Sequence, residues 1–262
     1  MPLVTTTIGD LFVMRRGQSG PPLICIHGAG GSSRHWGLVI EPLATVAQVY
    51  AVDLPGHGRS PVTGDPVTIT NYAQAISALH TALGLPPAIV LGHSMGGAIA
   101  LQLAVDAPQM VAGLGLIGSA ARLRVAPTIL AGLAGDAVAR QEAIALLVNQ
   151  LFSPTADPAL AAEAAAEYTA LDPAILLADL QACDGFDIRP QLAAICCPAL
   201  VVTGADDTLT PPKLGAELAT GLGVEHRLLT NVGHMPMLET PSQLSQLLRS
   251  WIKALAEEES LA

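Results

Sequence analysis

Basic residues are scarce in this sequence. Lys and Arg total 12 against 22 Asp and Glu over 262 residues, a formal net charge of −10. No basic stripe is present to neutralise phosphates, which argues against a nucleic-acid partner. The same deficit argues against binding to an anionic membrane surface. Aromatics make up only 3% of the residues and charged groups 13%, while 51% are hydrophobic. Such a chain buries a sizeable core, and that core is aliphatic, built from Ala, Leu and Val. No apolar run reaches the ~18–20 residues that span a bilayer, and Met1–Asp10 lacks the basic and apolar regions of a secretory signal. Cys25, Cys183, Cys196 and Cys197 lack the spaced Cys/His pairs of a metal site. They read as buried thiols, with neither a disulfide framework nor a zinc site expected. The expectation is a cytoplasmic chain without metal or organic cofactor.

Short aliphatic runs alternate with longer helical stretches, the sign of a mostly parallel sheet covered on both faces. Strands are expected at Leu23–Ile26, Val46–Val52, Ala88–Leu91, Gly113–Ile117, Leu200–Thr203 and Glu225–Leu229, with Val4–Ile8 and Leu11–Arg15 as an antiparallel edge hairpin. Helices are expected at about Asn71–Leu83, Met95–Asp106, Pro212–Thr220 and Pro241–Ala256. In the last of these, Leu244, Leu247, Leu248, Trp251, Ile252 and Leu255 recur at helical spacing. From about Ala121 to Gly185 the alternation stops. About 65 residues of Ala- and Leu-rich helical sequence is too long for an ordinary connection. It reads as a cap over the C-terminal ends of the strands, or as helices covering one face of the sheet.

The run Ala88-Ile89-Val90-Leu91, then Gly92-His93-Ser94-Met95-Gly96-Gly97, then Ala98-Ile99-Ala100-Leu101 reads as strand, sharp turn, helix. That is the context of a G-x-S-x-G elbow, which lifts a serine nucleophile above a sheet at a helix N-terminus. Side chains at positions 92 and 96 are expected to collide across so tight a turn. Ser94 is thus the candidate nucleophile. The elbow, the early loop Ile26-His27-Gly28-Ala29-Gly30-Gly31 and the run Asp53-Leu54-Pro55-Gly56-His57-Gly58-Arg59-Ser60 together resemble the α/β-hydrolase superfamily. They are most similar to its small bacterial esterases, lactonases and carbon–carbon bond hydrolases. The resemblance extends from about Leu23 to the C-terminal helix. It implies an α/β-hydrolase fold with a mostly parallel central sheet flanked by helices, a core over 1–120 and 186–262, and a helical cap insertion over 121–185.

A serine hydroxyl needs a base. Of seven histidines, His234 lies in Asn231-Val232-Gly233-His234-Met235-Pro236 after the last strand, where the resemblance places the catalytic histidine. His27 and His57 read as structural within their motifs, and His93 as pointing away from the Ser94 hydroxyl. His80 reads as helix surface, and His35 and His226 carry no motif. The acid should follow a strand, and Gly204-Ala205-Asp206-Asp207 supplies two candidates. The family spacing, three residues after the glycine, selects Asp207 and leaves Asp206 solvated or capping. The resemblance also assigns an oxyanion hole to the backbone N–H groups of Met95 and Ala29, with Gly28 and Gly30 allowing close approach of substrate. The Asp53–Ser60 motif reads as a structural turn near the site.

Serine rather than aspartate at the elbow argues against haloalkane dehalogenase and epoxide hydrolase relatives. His27-Gly28-Ala29-Gly30 lacks the proline of the cofactor-free haloperoxidases, and Gly92-His93-Ser94-Met95 differs from the Gly-Gly-Ser-Trp of aminopeptidases. The remaining chemistry is acyl transfer to water. Only Phe152 and Tyr168 are aromatic between residues 121 and 185, so an aliphatic lining suits uncharged esters of short to medium length. Arg122, Arg124 and Arg140 could instead clamp a carboxylate, which implies an enol-lactonase or a carbon–carbon bond hydrolase, or they could simply solvate the cap. A ligand-binding protein that keeps the fold without turnover is the alternative of another class. The expected partner is a small-molecule ester, and the chain is expected to act as a monomer or homodimer.

Overall fold

Runs of Val, Ile, Leu and Ala long enough to bury both faces make the centre of the sheet. Every residue of Pro22–Ile26 (β3) and Ala88–His93 (β5) is buried, as are most residues of Val111–Ile117 (β6) and Ala199–Gly204 (β7). The computed structural model describes residues 3–62, 64 and 67–261. With Leu3–Thr6 (β1), Gly9–Arg16 (β2), Gln48–Val52 (β4) and His226–Leu229 (β8), these strands form one eight-stranded sheet in the order β1-β2-β4-β3-β5-β6-β7-β8. β1 pairs antiparallel with β2 and β2 antiparallel with β4, while all other pairs are parallel. All six strands expected beyond the hairpin form, with β8 at one edge, and the expected hairpin occupies the β1 edge. The parallel order needs crossovers, and helices supply them.

Ile69–Ala82 (α2) starts at Thr68, whose hydroxyl accepts the Asn71 N–H. Met95–Asp106 (α3) is buried along most of its length because it packs in the middle of the layer. Pro212–Leu222 (α8) and Pro241–Leu261 (α10) complete the flanks, with Pro236–Glu239 (α9) a single turn before the last. Gly37–Leu43 (α1) was not expected from the sequence, since Gly37 at its start and Pro42 inside it are poor helix formers; burial of Val39, Ile40 and Leu43 holds it. His80 is a second departure. It is buried, and Nε2 donates to the Pro86 carbonyl, so it closes the end of α2 instead of lying on its surface. Cys196 is a third, being exposed where a buried thiol was expected, because its chain segment precedes β7 at the surface. No helix among the described residues is long and apolar enough to cross a membrane.

Between β6 and β7 lie Pro127–Leu133 (α4), Ala137–Val148 (α5), Pro158–Ala170 (α6) and Pro173–Asp184 (α7). Asp136, Asp157 and Asp172 cap α5, α6 and α7 through their side chains, and Pro opens α4, α6 and α7. The two ends of this segment run side by side, with Ile188 N–H donating to Ala121 O at 2.9 Å and Leu123 N–H to Phe186 O at 3.3 Å. Ile129, Leu147, Leu176 and Leu180 join Trp36, Val232 and Met235 in one buried apolar cluster. Each such leucine stabilises the contact by ~1.5–3 kcal/mol.

A buried carboxylate ties the helical segment to the sheet layer. Asp179 of α7 is wholly buried. Its carboxylate accepts from Gly30 N–H, His57 Nε2 and Tyr72 OH, each at 2.8 Å. Burial pulls the His57 imidazole down, but the hydrogen bond and charge of Asp179 outweigh it, so His57 is held above its ordinary value. His57 was expected to be structural; its acidic partner, 122 positions away, had no local signal.

A raised folded-state value stabilises the fold fully below the unfolded histidine value, ~6.5. That contribution disappears as the pH rises through the folded value. Asp179→Asn should therefore cost ~3–5 kcal/mol near pH 6. The gap in melting temperature from the wild type should shrink towards about pH 9 as the wild-type imidazole deprotonates. A gap that stayed constant between these pH values would mean that His57 carries no proton in the pair.

Candidate active site

The turn from β5 to α3 leaves no room for ordinary geometry. Ser94 sits at φ 53°, ψ −117°, a left-handed region that costs a non-glycine residue ~1–3 kcal/mol. The surroundings hold it there. Ser94 N–H donates to Ile117 O at 2.9 Å, and Ser94 O accepts from Ser119 Oγ at 2.8 Å and Gly97 N–H at 2.9 Å. A Cβ on Gly92 would run into the Gly96 backbone, and one on Gly96 into the Ile26 and His27 carbonyls. Both glycines are thus required by close backbone approach; for Gly92 the clash lies across the turn, as the spacing predicts, whereas for Gly96 it lies with the end of β3.

His234 and Asp207 meet from separate loops. His234 Nδ1 lies 2.9 Å from Asp207 Oδ2, and both side chains are buried. Asp207 also accepts from Leu209 N–H at 2.9 Å, Thr210 N–H at 2.8 Å and Thr210 Oγ1 at 2.7 Å. Burial pushes the Asp207 carboxyl up, but the charge and hydrogen bond of His234, with those from Thr210, outweigh it and hold it below the usual carboxylate value. An ionised Asp207 can accept only, which orients the imidazole with Nδ1–H towards it and leaves Nε2 for chemistry. Asp206 instead accepts from Ser153 Oγ at 2.6 Å, a bond to the helical segment in place of the solvated or capping role expected of it.

The sequence reading missed what braces His234. Its N–H donates to Leu151 O at 2.8 Å, and its carbonyl accepts from His93 Nε2 at 2.8 Å, with the two imidazoles 4.8 Å apart. Burial and the neighbouring His234 hold His93 well below its ordinary value, so it is a neutral donor. Thr210 was missed as well, although Asp207-Thr208-Leu209-Thr210 is a sequence in which an aspartate caps its own turn.

Ser94, His234 and Ala29 line one cavity of about 240 Å³, whose walls include Ile129, Leu147 and Leu180 from the helical segment. No hydrogen bond joins Ser94 Oγ to His234 Nε2, a contact that often tightens only when substrate binds. One backbone donor, Met95, follows Ser94 in the chain, and another, Ala29, lines the same cavity as Ser94. The N–H groups of Ala29 and Met95 donate to no acceptor among the described residues, although buried N–H groups are nearly always paired. Gly28 lies against Ser94 and lines a small cavity with it, whereas Gly30, at φ 64°, faces Tyr168 and Leu176 and gives its N–H to Asp179. Tyr168 OH donates to Ala29 O at 3.2 Å, so the Gly28–Gly30 loop is held from the helical segment at two points.

Gly92→Ala should destabilise the fold by on the order of 3 kcal/mol. Denaturant unfolding measures this, and an alanine variant as stable as the wild type would show that the elbow has slack.

The residues 23–247 match the model of the "Alpha/beta hydrolase family". The chain is 33% identical over 247 residues to the dihydrolipoyllysine-residue acetyltransferase component of an acetoin cleaving system from Pseudomonas putida, covering 90% of this chain and 65% of that protein's length. It is 30% identical to a pimeloyl-[acyl-carrier protein] methyl ester esterase from Neisseria meningitidis, covering 90% of this chain and 78% of that one. Among solved structures, that of Est816, described as an N-acyl homoserine lactone degrading enzyme, superposes with a TM-score of 0.86 at 27% identity, covering 95% of this chain and 99% of that one. An eight-stranded, mostly parallel sheet, the Ser94 elbow after β5 and a match over most of the chain lead to one conclusion: this protein belongs to the α/β-hydrolase family.

Proposed function

We propose that the protein hydrolyses carboxylic esters of small to medium, mainly apolar substrates through an acyl-enzyme on Ser94. The observation that carries this reading is the coincidence of the strained Ser94, with the unspent Met95 N–H next to it in the chain, and one cavity that Ser94 shares with Ala29 and with His234 of the Asp207–His234 pair. Pure ligand binding requires no such combination.

In this mechanism His234 Nε2 takes the Ser94 hydroxyl proton as Oγ attacks the ester carbonyl carbon. The N–H groups of Ala29 and Met95 receive the oxyanion, each worth ~3–4 kcal/mol in the transition state. The tetrahedral intermediate collapses, the C–O bond to the alcohol breaks, and His234 returns the proton to the departing alkoxide. A water then attacks the acyl-enzyme with His234 again as base, releasing the acid and regenerating the Ser94 hydroxyl. Asp207 stays ionised throughout and stabilises the imidazolium. The segment over 121–185 acts as a cap, with Ile129, Leu147 and Leu180 shaping an aliphatic acyl pocket. The similarity to an esterase and to a lactone-degrading enzyme supports acyl hydrolysis as the reaction class.

A fluorophosphonate probe should label the wild type and fail to label Ser94→Ala. Hydrolysis of p-nitrophenyl esters should drop ~10⁶-fold in Ser94→Ala and ~10⁴-fold in Asp207→Asn, while Asp206→Asn should retain kcat because Asp206 touches Ser153 and not His234. A wild type that neither labels nor turns over any ester would favour the ligand-binding alternative. Equal activity in Asp207→Asn and wild type would remove Asp207 from the triad.

A further inference from the structure

Basic residues left without a role by the triad cluster in a cavity that adjoins the one holding Ser94. Four of the chain's 12 basic residues, Arg122, Arg124, Arg189 and Lys213, line a single cavity of about 610 Å³ in a protein of net charge −10. Two carboxylates offset them in part. Asp187 binds Arg189 through Nε at 2.8 Å and lies 3.8 Å from Arg122 Nε, and Glu217 lies 4.0 Å from Lys213 Nζ. The Asp184 carboxylate turns away to accept the Val125 N–H.

Arg124 differs from the other three. It has no carboxylate partner within 4.0 Å among the described residues, and its Nη1 donates only to the Leu123 and Asp184 carbonyls. It also lines the 240 Å³ cavity that contains Ser94 and His234, so it stands at the junction of the two spaces. Arg140, by contrast, bonds to the Gly135 carbonyl and lines neither cavity. An uncompensated guanidinium beside a reaction cavity in an acidic protein has an obvious complement. Its planar fork matches a carboxylate or phosphate, and the neighbouring cations add a local positive field against the global charge.

We propose that the basic groove centred on Arg124 is an anion subsite, and that the preferred substrates are esters carrying a carboxylate or phosphate at the end away from the scissile bond. This rests on the ester-hydrolase reading above. Between Ser94 and Arg124 the walls at Leu123, Ile129 and Leu180 are aliphatic, so the substrate combines an apolar spacer with a charged terminus. Arg122, Arg189 and Lys213 attract the anion at longer range, a contribution that salt should screen.

Three p-nitrophenyl esters of equal chain length, ending in methyl, carboxylate or phosphate, test this. The readout is the ratio of kcat/KM for each anionic ester to that for the methyl-ended ester, with active sites counted by fluorophosphonate labelling so that general losses cancel. The wild type should favour at least one anionic ester by about tenfold at low salt, and which one identifies the anion. The preference should vanish in Arg124→Gln, survive in part in Arg124→Lys, invert in Arg124→Glu, and shrink in ~0.5 M salt. A wild-type ratio near one for both anions, or an unaltered ratio in Arg124→Gln, overturns the subsite while leaving ester hydrolysis in place. If none of the three esters is cleaved and Ser94 does not label, the failure lies in the ester-hydrolase reading itself.

Discussion

The left-handed backbone at Ser94 is the constraint on which the remainder of the site depends. A serine at φ 53° is unfavourable in isolation, and it persists because β5, β6 and α3 hold its backbone from three directions. Ile117 receives its N–H and Ser119 holds its carbonyl, while Gly92, Gly96 and the Ile26 and His27 carbonyls pack too closely for any Cβ. The same turn places Met95 N–H at the first position of α3, where no intrahelical acceptor exists for it. Strain and an unpaired donor therefore arise from one piece of geometry. That geometry is also what lets the helix N-terminus face developing negative charge.

Two Asp–His pairs show how surroundings decide the use of the same chemistry. Asp207–His234 and Asp179–His57 have similar contacts, 2.9 Å and 2.8 Å. The first opens onto the cavity beside Ser94 and is braced by Thr210 from one side and His93 from the other. The second is sealed between α7, α2 and the Gly28–Gly30 loop, with Tyr72 and Gly30 completing the carboxylate's partners. A buried pair of this kind adds little net stability over an apolar contact but is costly to break. Its effect here is to tie the helical segment to the loop that carries Ala29, where the Tyr168 hydroxyl makes a second tie.

Charge is distributed on the same principle. The net charge is −10, yet four of the 12 basic residues line one cavity where the neck of the helical segment meets α8, next to the cavity that holds Ser94. Arg122 and Arg189 are tied by Asp187, while Arg124 remains available. The apolar walls and the guanidinium are complementary parts of one space, which reconciles an aliphatic lining with the arginines that interrupt it.

The alternation of strands and helices and the elbow were legible in the sequence because burial sets the alternation and the Gly92–Gly96 clash lies four residues apart. Asp207 was chosen over Asp206 only by resemblance to the family spacing, and the contact of Gly96 with the Ile26 and His27 carbonyls appears only in the fold. The short helix Gly37–Leu43, the burial of His80 and the exposure of Cys196 were not legible, since packing rather than local preference decided them. Nor could spacing show that Asp179 would meet Gly30 across 149 positions or that His93 would support His234 across 141. Sequence by itself determined the turn that presents Ser94 and the residue types able to activate it, because those depend on backbone sterics and on chemistry carried by single side chains. Tertiary structure alone decided which loops converge on that serine, which cations stay unpaired beside it and which carboxylate ties down the helical segment, because each depends on contacts between segments that only the folded sheet brings together.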